Sequence, residues 1–281
     1  MIKKVSKNII NGALSVFDLE LRKKDAPKPI EQMFDDPEEA LLFTQGGKEA
    51  GFYCPTELCT HHTGIGFSKS DWNPFVETLR EFEKNPNLKY EDSILCDFYN
   101  SWQPKSAAEM FKGFNNAPKE LKTLPPHYMF LSPWSSLTPE EVDHDGRWWN
   151  NKDNAEHGAP QLRFPEDGWA FSGPVNIRKG RLEFNRLTSL YKNIKINGYD
   201  RSLGLIGTTF LTDDNESRFI IGGGGFHRAI VLASLDTKTI PARFHRASAV
   251  NINQVGKWPL VKLGIWSKQE ATSYFNFLLK S

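Results

Sequence analysis

The spacing of apolar residues predicts a helix followed by a hairpin in the second half of the chain. Five apolar residues, separated by steps of three and four, fall on one face of a helix: Phe184, Leu187, Leu190, Tyr191 and Ile194. Gly198 stands where a glycine commonly ends a helix. Two strand-sized apolar runs follow, at 203–211 and 218–221, and the polar residues between them predict a turn.

After the hairpin, a run of four glycines at 222–225 leads into a short apolar helix, which we predict at 226–235. A further strand is predicted around 239–244. A capping box formed by Ser267 and Glu270 begins a last helix. The predicted order is therefore helix, strand, strand, glycine loop, helix and strand.

The first half of the chain reads as short helices separated by proline-rich loops. Helix starts are marked by Asp36-Pro37, by Asn73-Pro74 and by a capping box of Ser106 with Glu109. Between 115 and 168 the chain is rich in proline, glycine and tryptophan, so we predict irregular chain with one helical turn at 138–141. The predicted fold class is α+β. A helical, loop-rich region at 1–167 precedes a small mixed sheet with helices at 168–281.

Composition excludes two classes of protein. Of the 281 residues, 39% are hydrophobic and 12% aromatic, which is enough to build a core and argues against dominant disorder. No run approaches the roughly 18 consecutive apolar residues of a membrane helix, and the first residues lack the continuous apolar segment of a signal peptide. The three cysteines fit a reducing compartment. We therefore expect a cytoplasmic protein without a membrane span.

Charge is distributed unevenly along the chain. Residues 1–165 contain 19 Lys and Arg against 25 Asp and Glu, a net charge of −6, whereas residues 166–281 contain 16 against 9, a net charge of +7. Positive charge in the second segment favours an anionic ligand, although opposite charges would equally help two segments dock on each other.

The glycine run carries the clearest chemical signal. A strand that passes through glycines straight into a helix brings backbone amides and a helix N-terminus together, and this geometry binds anions. His227 and Arg228, in the first helical turn, add a hydrogen-bond donor and a guanidinium that suit phosphate oxygens. We predict a phosphate-binding loop. The alternative is a tight turn in which Arg228 is only a structural charge.

The segment from about Gly173 to Phe244 resembles the ParB/sulfiredoxin superfamily domain, in which a helix, a strand pair, a Gly-x-His-Arg type loop, a helix and a strand follow one another. The resemblance implies that the loop binds the phosphates of ATP or another nucleoside triphosphate with Mg²⁺. The implied phosphate-binding residues are Gly223, Gly224, Gly225, His227 and Arg228. The C-terminal half also resembles uncharacterised ParB-like proteins of bacterial surface-polysaccharide gene clusters.

Three departures from these families narrow the expected function. Sulfiredoxins have a catalytic cysteine just before the His-Arg pair, where this chain has Phe226, so we expect no sulfinic acid reduction. No helix-turn-helix module is predicted after Phe244, so we expect no sequence-specific binding of nucleic acid. Related kinases of free amino acids begin the loop with an aspartate, where this chain has Gly224.

A phosphotransferase also needs a carboxylate, either to hold Mg²⁺ or to accept the proton of a hydroxyl group. Glu183, just ahead of the predicted helix, is our candidate, and with His227 it makes the predicted catalytic pair. The alternative for Glu183 is a first-turn residue favoured by the helix dipole.

Two further groups of residues have more than one interpretation. Two cysteines and two histidines lie between Cys54 and His62, but their spacing is poor for tetrahedral zinc, so we predict no metal site and expect a buried loop. Trp148 and Trp149 could stack on a base or a sugar ring, or could anchor a loop.

The predicted function is that of a nucleotide-dependent enzyme, a phosphotransferase that acts on a small hydroxyl-bearing molecule. The alternatives are a non-catalytic nucleotide-binding switch and a sugar-nucleotide-binding protein of surface-polysaccharide biosynthesis. The expected partners are therefore a nucleotide and a small-molecule substrate.

Overall fold

A six-stranded mixed sheet and eight α-helices are formed by the residues that the computed structural model describes, 32–45, 50–213, 215–222 and 224–281. The strands are β1 (Met33–Phe34), β2 (Gly51–Pro55), β3 (Cys59–Thr60), β4 (Ile206–Thr212), β5 (Ser217–Ile221) and β6 (Thr239–Asn251). The helices are α1 (Pro37–Gln45), α2 (Pro74–Lys84), α3 (Ile94–Ser101), α4 (Pro139–Glu156), α5 (Ile177–Asn197), α6 (Phe226–Ser234), α7 (Pro259–Lys262) and α8 (Lys268–Leu279). Of these helices, none is both long enough and apolar enough to cross a membrane.

The sheet has the strand order β1-β2-β6-β4-β5-β3. β6 pairs antiparallel with β2 and parallel with β4. β4 and β5 form the predicted antiparallel hairpin, and β3 adds to β5 in parallel. The predicted order of helix, strand, strand, loop, helix and strand is confirmed by α5, β4, β5, α6 and β6.

Three strands of the sheet lie in the segment that we predicted to be helical and loop-rich. β1 and β3 have two residues each, too few to show an alternating pattern, and the five residues of β2 do not alternate between apolar and polar. β2 becomes a strand because its backbone pairs with β6 far along the chain, for example Cys54 with Ile240. The mixture of helices and a mixed sheet is confirmed, but the sheet extends beyond 168–281.

The helix boundaries predicted from Asn73, Gly198 and Ser267 are confirmed. Asn73 caps α2 by accepting hydrogen bonds from two backbone amides, and Ser267 forms the predicted capping box of α8. Gly198 ends α5 with a φ of 76°, which favours glycine. The pair Ser106 and Glu109 does form hydrogen bonds, but it precedes only a three-residue 3-10 turn.

α4 differs most from the prediction, because one expected turn proves to be a helix of 18 residues. Its sequence has no apolar stripe, and only Val142 and Asn154 are buried along its length. The helix begins with a capping box at Thr138 and carries ion pairs at helical spacing, such as Arg147 with Asp143. Such contacts stabilise a largely exposed helix that periodicity alone does not reveal.

Two hydrophobic clusters form the core, and each contains residues from both sides of position 167. The first joins residues of α2 and α3 to residues of α5, α6 and the sheet. The second joins the chain at 107–169 to α8 and to residues of β4, β5 and β6. The two predicted segments, 1–167 and 168–281, therefore share one sheet and both clusters, and the division between them stays a prediction.

Two helical glycines are expected to respond oppositely to alanine. A methyl group at Gly180 in α5 would overlap the buried ring of Tyr90, whereas the nearest atom to a methyl group at Gly146 in α4 would lie 3.7 Å away, in Phe164. Gly180→Ala should lower the free energy of unfolding by about 1–3 kcal/mol through overpacking. Gly146→Ala should raise it by about 0.5–1 kcal/mol, because alanine is the better helix former. Urea unfolding measures both, and equal stability of the two variants would contradict the close approach of Tyr90.

Candidate functional site

The glycine loop, residues 222–225, leads from β5 directly into α6. The backbone of Gly207 in β4 makes two hydrogen bonds to this loop. Its carbonyl accepts one from the Gly222 amide at 3.2 Å, and its amide donates one to the Gly224 carbonyl at 3.0 Å. Gly224 and Gly225 have φ values of 102° and 100°, in the left-handed region that favours glycine. Gly223 lies outside the described residues. Apart from Gly224 itself and its neighbours in the chain, no described residue has an atom within 4 Å of a Cβ position at Gly224, so the loop is open there.

Gly225 is the N-cap residue of α6, and no side chain caps this helix. A Cβ atom at Gly225 would lie 3.0 Å from the side chain of Ile206, a tight contact that adds to the preference for glycine at this position. The first amides of a helix have no partner within the helix and attract negative charge. The N-terminal end of α6 therefore has the general polarity that attracts an anion, and the binding of a phosphate there stays a prediction.

His227 and Glu183, the predicted catalytic pair, lie in direct contact. His227 Nε2 and Glu183 Oε2 are 2.9 Å apart, although the residues are separated by 44 positions. Glu183 lies inside α5, six residues after its first residue, and not ahead of the helix as predicted. Its side chain is only 1% exposed, whereas that of His227 is 19% exposed.

Glu183 is also the centre of a buried network of charges. Its carboxylate accepts a hydrogen bond from Lys179 Nζ at 2.5 Å and lies 3.1 Å from the Arg186 guanidinium. Lys179 donates a second hydrogen bond to Asn154 at 2.7 Å. Arg186 makes two hydrogen bonds to Asp153, at 2.5 and 2.9 Å. α4 and α5 are thus joined behind the glycine loop by side chains of opposite charge.

The electrostatics of the network keep Glu183 ionised. Burial by itself would raise the pKa of this carboxyl group. The charge of Lys179, the hydrogen bond with His227 and the charge of Arg186 outweigh burial and hold the pKa well below its usual value. Glu183 is therefore a hydrogen-bond acceptor at neutral pH.

Arg228 is engaged mainly with the protein itself. Its Nη1 donates hydrogen bonds to the Tyr199 hydroxyl at 3.0 Å, to the Leu203 carbonyl at 3.0 Å and to the Gly204 carbonyl. The guanidinium also lies over the Tyr199 ring at 5.8 Å. These contacts fix the turn at 199–204 to the start of α6. All of these hydrogen bonds use Nη1. That the other N–H groups of Arg228 contact a phosphate stays a prediction.

A segment of the first half that we did not associate with the site lies against the loop. The Phe226 ring packs on His61 at 5.1 Å and on Phe171 at 5.0 Å. His62 lies beside Gly222, and its Nδ1 is buried without a hydrogen-bond partner in the described part of the chain. Burial lowers the pKa of His62 to about 4, so this ring is neutral. In the sequence, the adjacent pair His61-His62 was the only local feature that could have suggested a functional role for this segment.

The two cysteines of this segment contact each other, with their sulfur atoms 3.3 Å apart. His61 Nδ1 is within hydrogen-bond distance of Thr63 Oγ1, at 3.0 Å. No group of three or more His, Cys, Asp and Glu side chains in the described ranges could hold a metal ion. That the segment binds no zinc stays a prediction.

The side chains near the loop do not fit a resident Mg²⁺ ion. Glu183 and Asp153, the two carboxylates of the network, are both committed to cationic partners. A metal ion would have to displace Lys179 or Arg186 to reach them. The surroundings of Gly224 are open, and the binding of a phosphate group there by backbone amides stays a prediction.

Four network residues were missed by the sequence analysis: Asp153, Asn154, Lys179 and Arg186. The spacings Lys179 to Glu183 and Glu183 to Arg186 are those of helical neighbours and could have indicated an ion pair. Nothing local links Asp153 and Asn154 to α5, because α4 itself was not predicted.

Comparison of the chain with protein-family models, with curated proteins and with solved structures found no match.

Proposed function

We propose that the protein is a nucleotide-dependent phosphotransferase that acts on a small hydroxyl-bearing molecule. The observation that carries the proposal is the 2.9 Å hydrogen bond between Glu183 and His227 at the start of α6, directly after the glycine loop. The loop and the first amides of α6 hold the terminal phosphate of the nucleotide, and His227 serves as the general base.

The ionised state of Glu183 assigns the roles of the two ring nitrogens. A carboxylate can only accept a hydrogen bond, so His227 Nε2 carries the proton in this contact. In a neutral ring, Nδ1 then has the free electron pair and can accept a proton. Glu183 itself is buried beyond the reach of a substrate, and we assign it a positioning role.

The proposed step transfers one phosphoryl group. The hydroxyl oxygen of the acceptor forms a bond to the terminal phosphorus of the nucleoside triphosphate. The bond from that phosphorus to the bridging oxygen breaks, and the nucleoside diphosphate leaves. The hydroxyl proton moves to Nδ1 of His227, which becomes an imidazolium stabilised by the Glu183 carboxylate.

We further propose that residues 168–281 are arranged as in ParB/sulfiredoxin-like domains. This is supported by the order of the elements, which is α5, β4, β5, glycine loop, α6 and β6. The excess of positive charge in residues 166–281 supports an anionic ligand. A non-catalytic nucleotide-binding switch would use the same loop but would not need the His227 and Glu183 pair.

Gly224→Ala is expected to weaken ATP binding at least about tenfold, because its methyl group would occupy the open position of the loop. Gly113→Ala is the matched control, since Gly113 has a φ of 90° and equally open surroundings away from the loop. Both variants should lose about 1–2 kcal/mol of stability through the strained backbone. Isothermal titration with ATP and with GTP, in the presence of Mg²⁺, separates the two effects.

Wild-type protein that binds neither nucleotide would refute the proposal, and so would an equal loss of binding in both glycine variants. Release of ADP that depends on a hydroxyl compound, such as serine, glycerol or glucose, would support the phosphotransferase. Saturable binding without such turnover would favour the switch.

A further inference from the structure

An open groove of about 530 Å³ lies between α4 and the 3-10 turn Pro126–Phe130, and the proposed reaction does not use it. Its lining combines aromatic and hydrogen-bonding side chains: Tyr128, Glu140, Asp143, Arg147, Trp148 and Asn151. Apart from Tyr128, these residues come from successive turns of one face of α4. The volume lies in the usual range for small-molecule sites, about 300–1,000 Å³. We call this feature the α4 groove.

Hydrogen bonds fix the positions of Asp143 and Arg147 in the α4 groove. Asp143 is within hydrogen-bond distance of the buried His127 Nε2, at 3.0 Å, and accepts a hydrogen bond from Arg147 Nε at 2.9 Å. Burial is the largest influence on His127 and lowers its pKa, so this ring is a neutral partner. The hydrogen bond from Arg147 is the main reason that the pKa of Asp143 is lowered, and Asp143 is therefore a fixed carboxylate. Arg147 uses Nε for this contact and remains 45% exposed.

Trp148 lies at the edge of the α4 groove with 48% of its surface exposed. Its neighbour Trp149 is 53% exposed but does not line the groove, and the two rings meet edge to face at 4.4 Å. Lys152 Nζ lies 4.7 Å from the centre of the Trp148 ring and 4.9 Å from that of Trp149. An exposed indole beside ordered polar groups offers an apolar surface for a ligand that is otherwise polar.

The charges of the α4 groove select the class of ligand. Glu140 and Asp143 are acidic, and Arg147 is basic but already paired with Asp143. The histidine His144 also lines the groove, and this set has no excess of positive charge that would favour an anion such as a phosphate. The two carboxylates accept hydrogen bonds, while the Arg147 guanidinium donates them. A ligand that donates and accepts hydrogen bonds through many hydroxyl groups, and that has an apolar face of C–H groups for Trp148, satisfies all of these positions. We propose that the α4 groove binds a neutral saccharide.

The proposal is tested by titrating the full chain with maltotriose, cellotriose, triacetylchitotriose and xylotriose while tryptophan fluorescence is recorded. At least one of these neutral oligosaccharides is expected to bind saturably. Trp148→Ala should weaken this binding about tenfold, as expected for the loss of one stacked aromatic contact. Trp149→Ala is the matched control, because it removes an equally exposed indole outside the groove, and it should change the affinity by less than about twofold.

Three results would overturn the saccharide site. The first is that none of the four oligosaccharides binds at millimolar concentration. The second is that Trp149→Ala weakens binding as much as Trp148→Ala. The third is that inorganic phosphate or ATP competes for the Trp148-dependent site, which would make it an anion site. Because the nucleotide titrations depend on Gly224, they fail or succeed independently of this result.

Discussion

Glu183→Gln is expected to lower the free energy of unfolding by about 3–5 kcal/mol, the usual cost of removing one partner from a buried ion pair. The amide has almost the shape of the carboxylate, so the variant removes charge rather than volume. Lys179, whose side chain is 1% exposed, would then have two neutral amide oxygens, those of the substituted side chain and of Asn154, as its hydrogen-bond acceptors in place of a carboxylate. A buried ammonium group without a compensating negative charge is the source of the cost.

Glu83→Gln is the matched control for this experiment. Glu83 also accepts a hydrogen bond from a lysine of α5, Lys195, at 2.6 Å, but the two side chains are 45% and 49% exposed. Water screens such a pair, so the control should unfold at the wild-type midpoint. Urea unfolding followed by circular dichroism compares the variants. If Glu183→Gln were as stable as Glu83→Gln, the buried network would not be a major source of stability.

The same variant should change how stability depends on pH. The pKa of Glu183 is lower in the folded protein than in the unfolded chain, so its contribution is complete above about pH 4.5 and is lost as the pH falls through the folded value. The difference in stability between wild type and Glu183→Gln should therefore shrink in acid. His62, with a folded pKa of about 4, destabilises both proteins below about pH 6.5, so its effect cancels in the difference. A difference that stays constant down to pH 3 would contradict the lowered pKa.

His227→Ala is expected to reduce the kcat of phosphoryl transfer by about 10²–10⁴-fold, the usual contribution of a general base. This prediction depends on the proposed function. The affinity for ATP should change little, because the loop amides rather than the imidazole hold the phosphate. Loss of the ring also removes a partner of Glu183, but Lys179 and Arg186 remain to compensate its charge.

Adding imidazole to His227→Ala distinguishes a general-base role of His227 from a structural one. The His227 side chain is 19% exposed, so a small molecule can enter the space that the ring leaves. Imidazole should restore part of the activity of His227→Ala, with a rate that rises as imidazole loses its proton near neutral pH. A merely structural role for His227 predicts no such rescue, and an unchanged kcat in His227→Ala would refute its role as the base.

Local signals in the sequence were sufficient for the elements that surround the glycine loop. The apolar steps of α5, the capping glycine at Gly198 and the strand–glycine–helix succession each act over a few residues, so they can be read without knowing the fold. The capping residues Asn73 and Ser267 act in the same local way. The sequence analysis named Glu183 and His227 separately as catalytic candidates; the structure brings them into contact, and their catalytic role stays a prediction.

The remaining features were decided by contacts between distant parts of the chain. β2 is a strand because it pairs with β6, and α4 is stable although it lacks an apolar stripe. Arg228 faces the turn at 199–204 because the carbonyl groups of that turn lie within its reach. By itself, the sequence determined the local order of elements and the types of residue at the loop. Only the tertiary structure decided which charges are buried together, because the partner that makes a buried charge tolerable can come from any part of the chain.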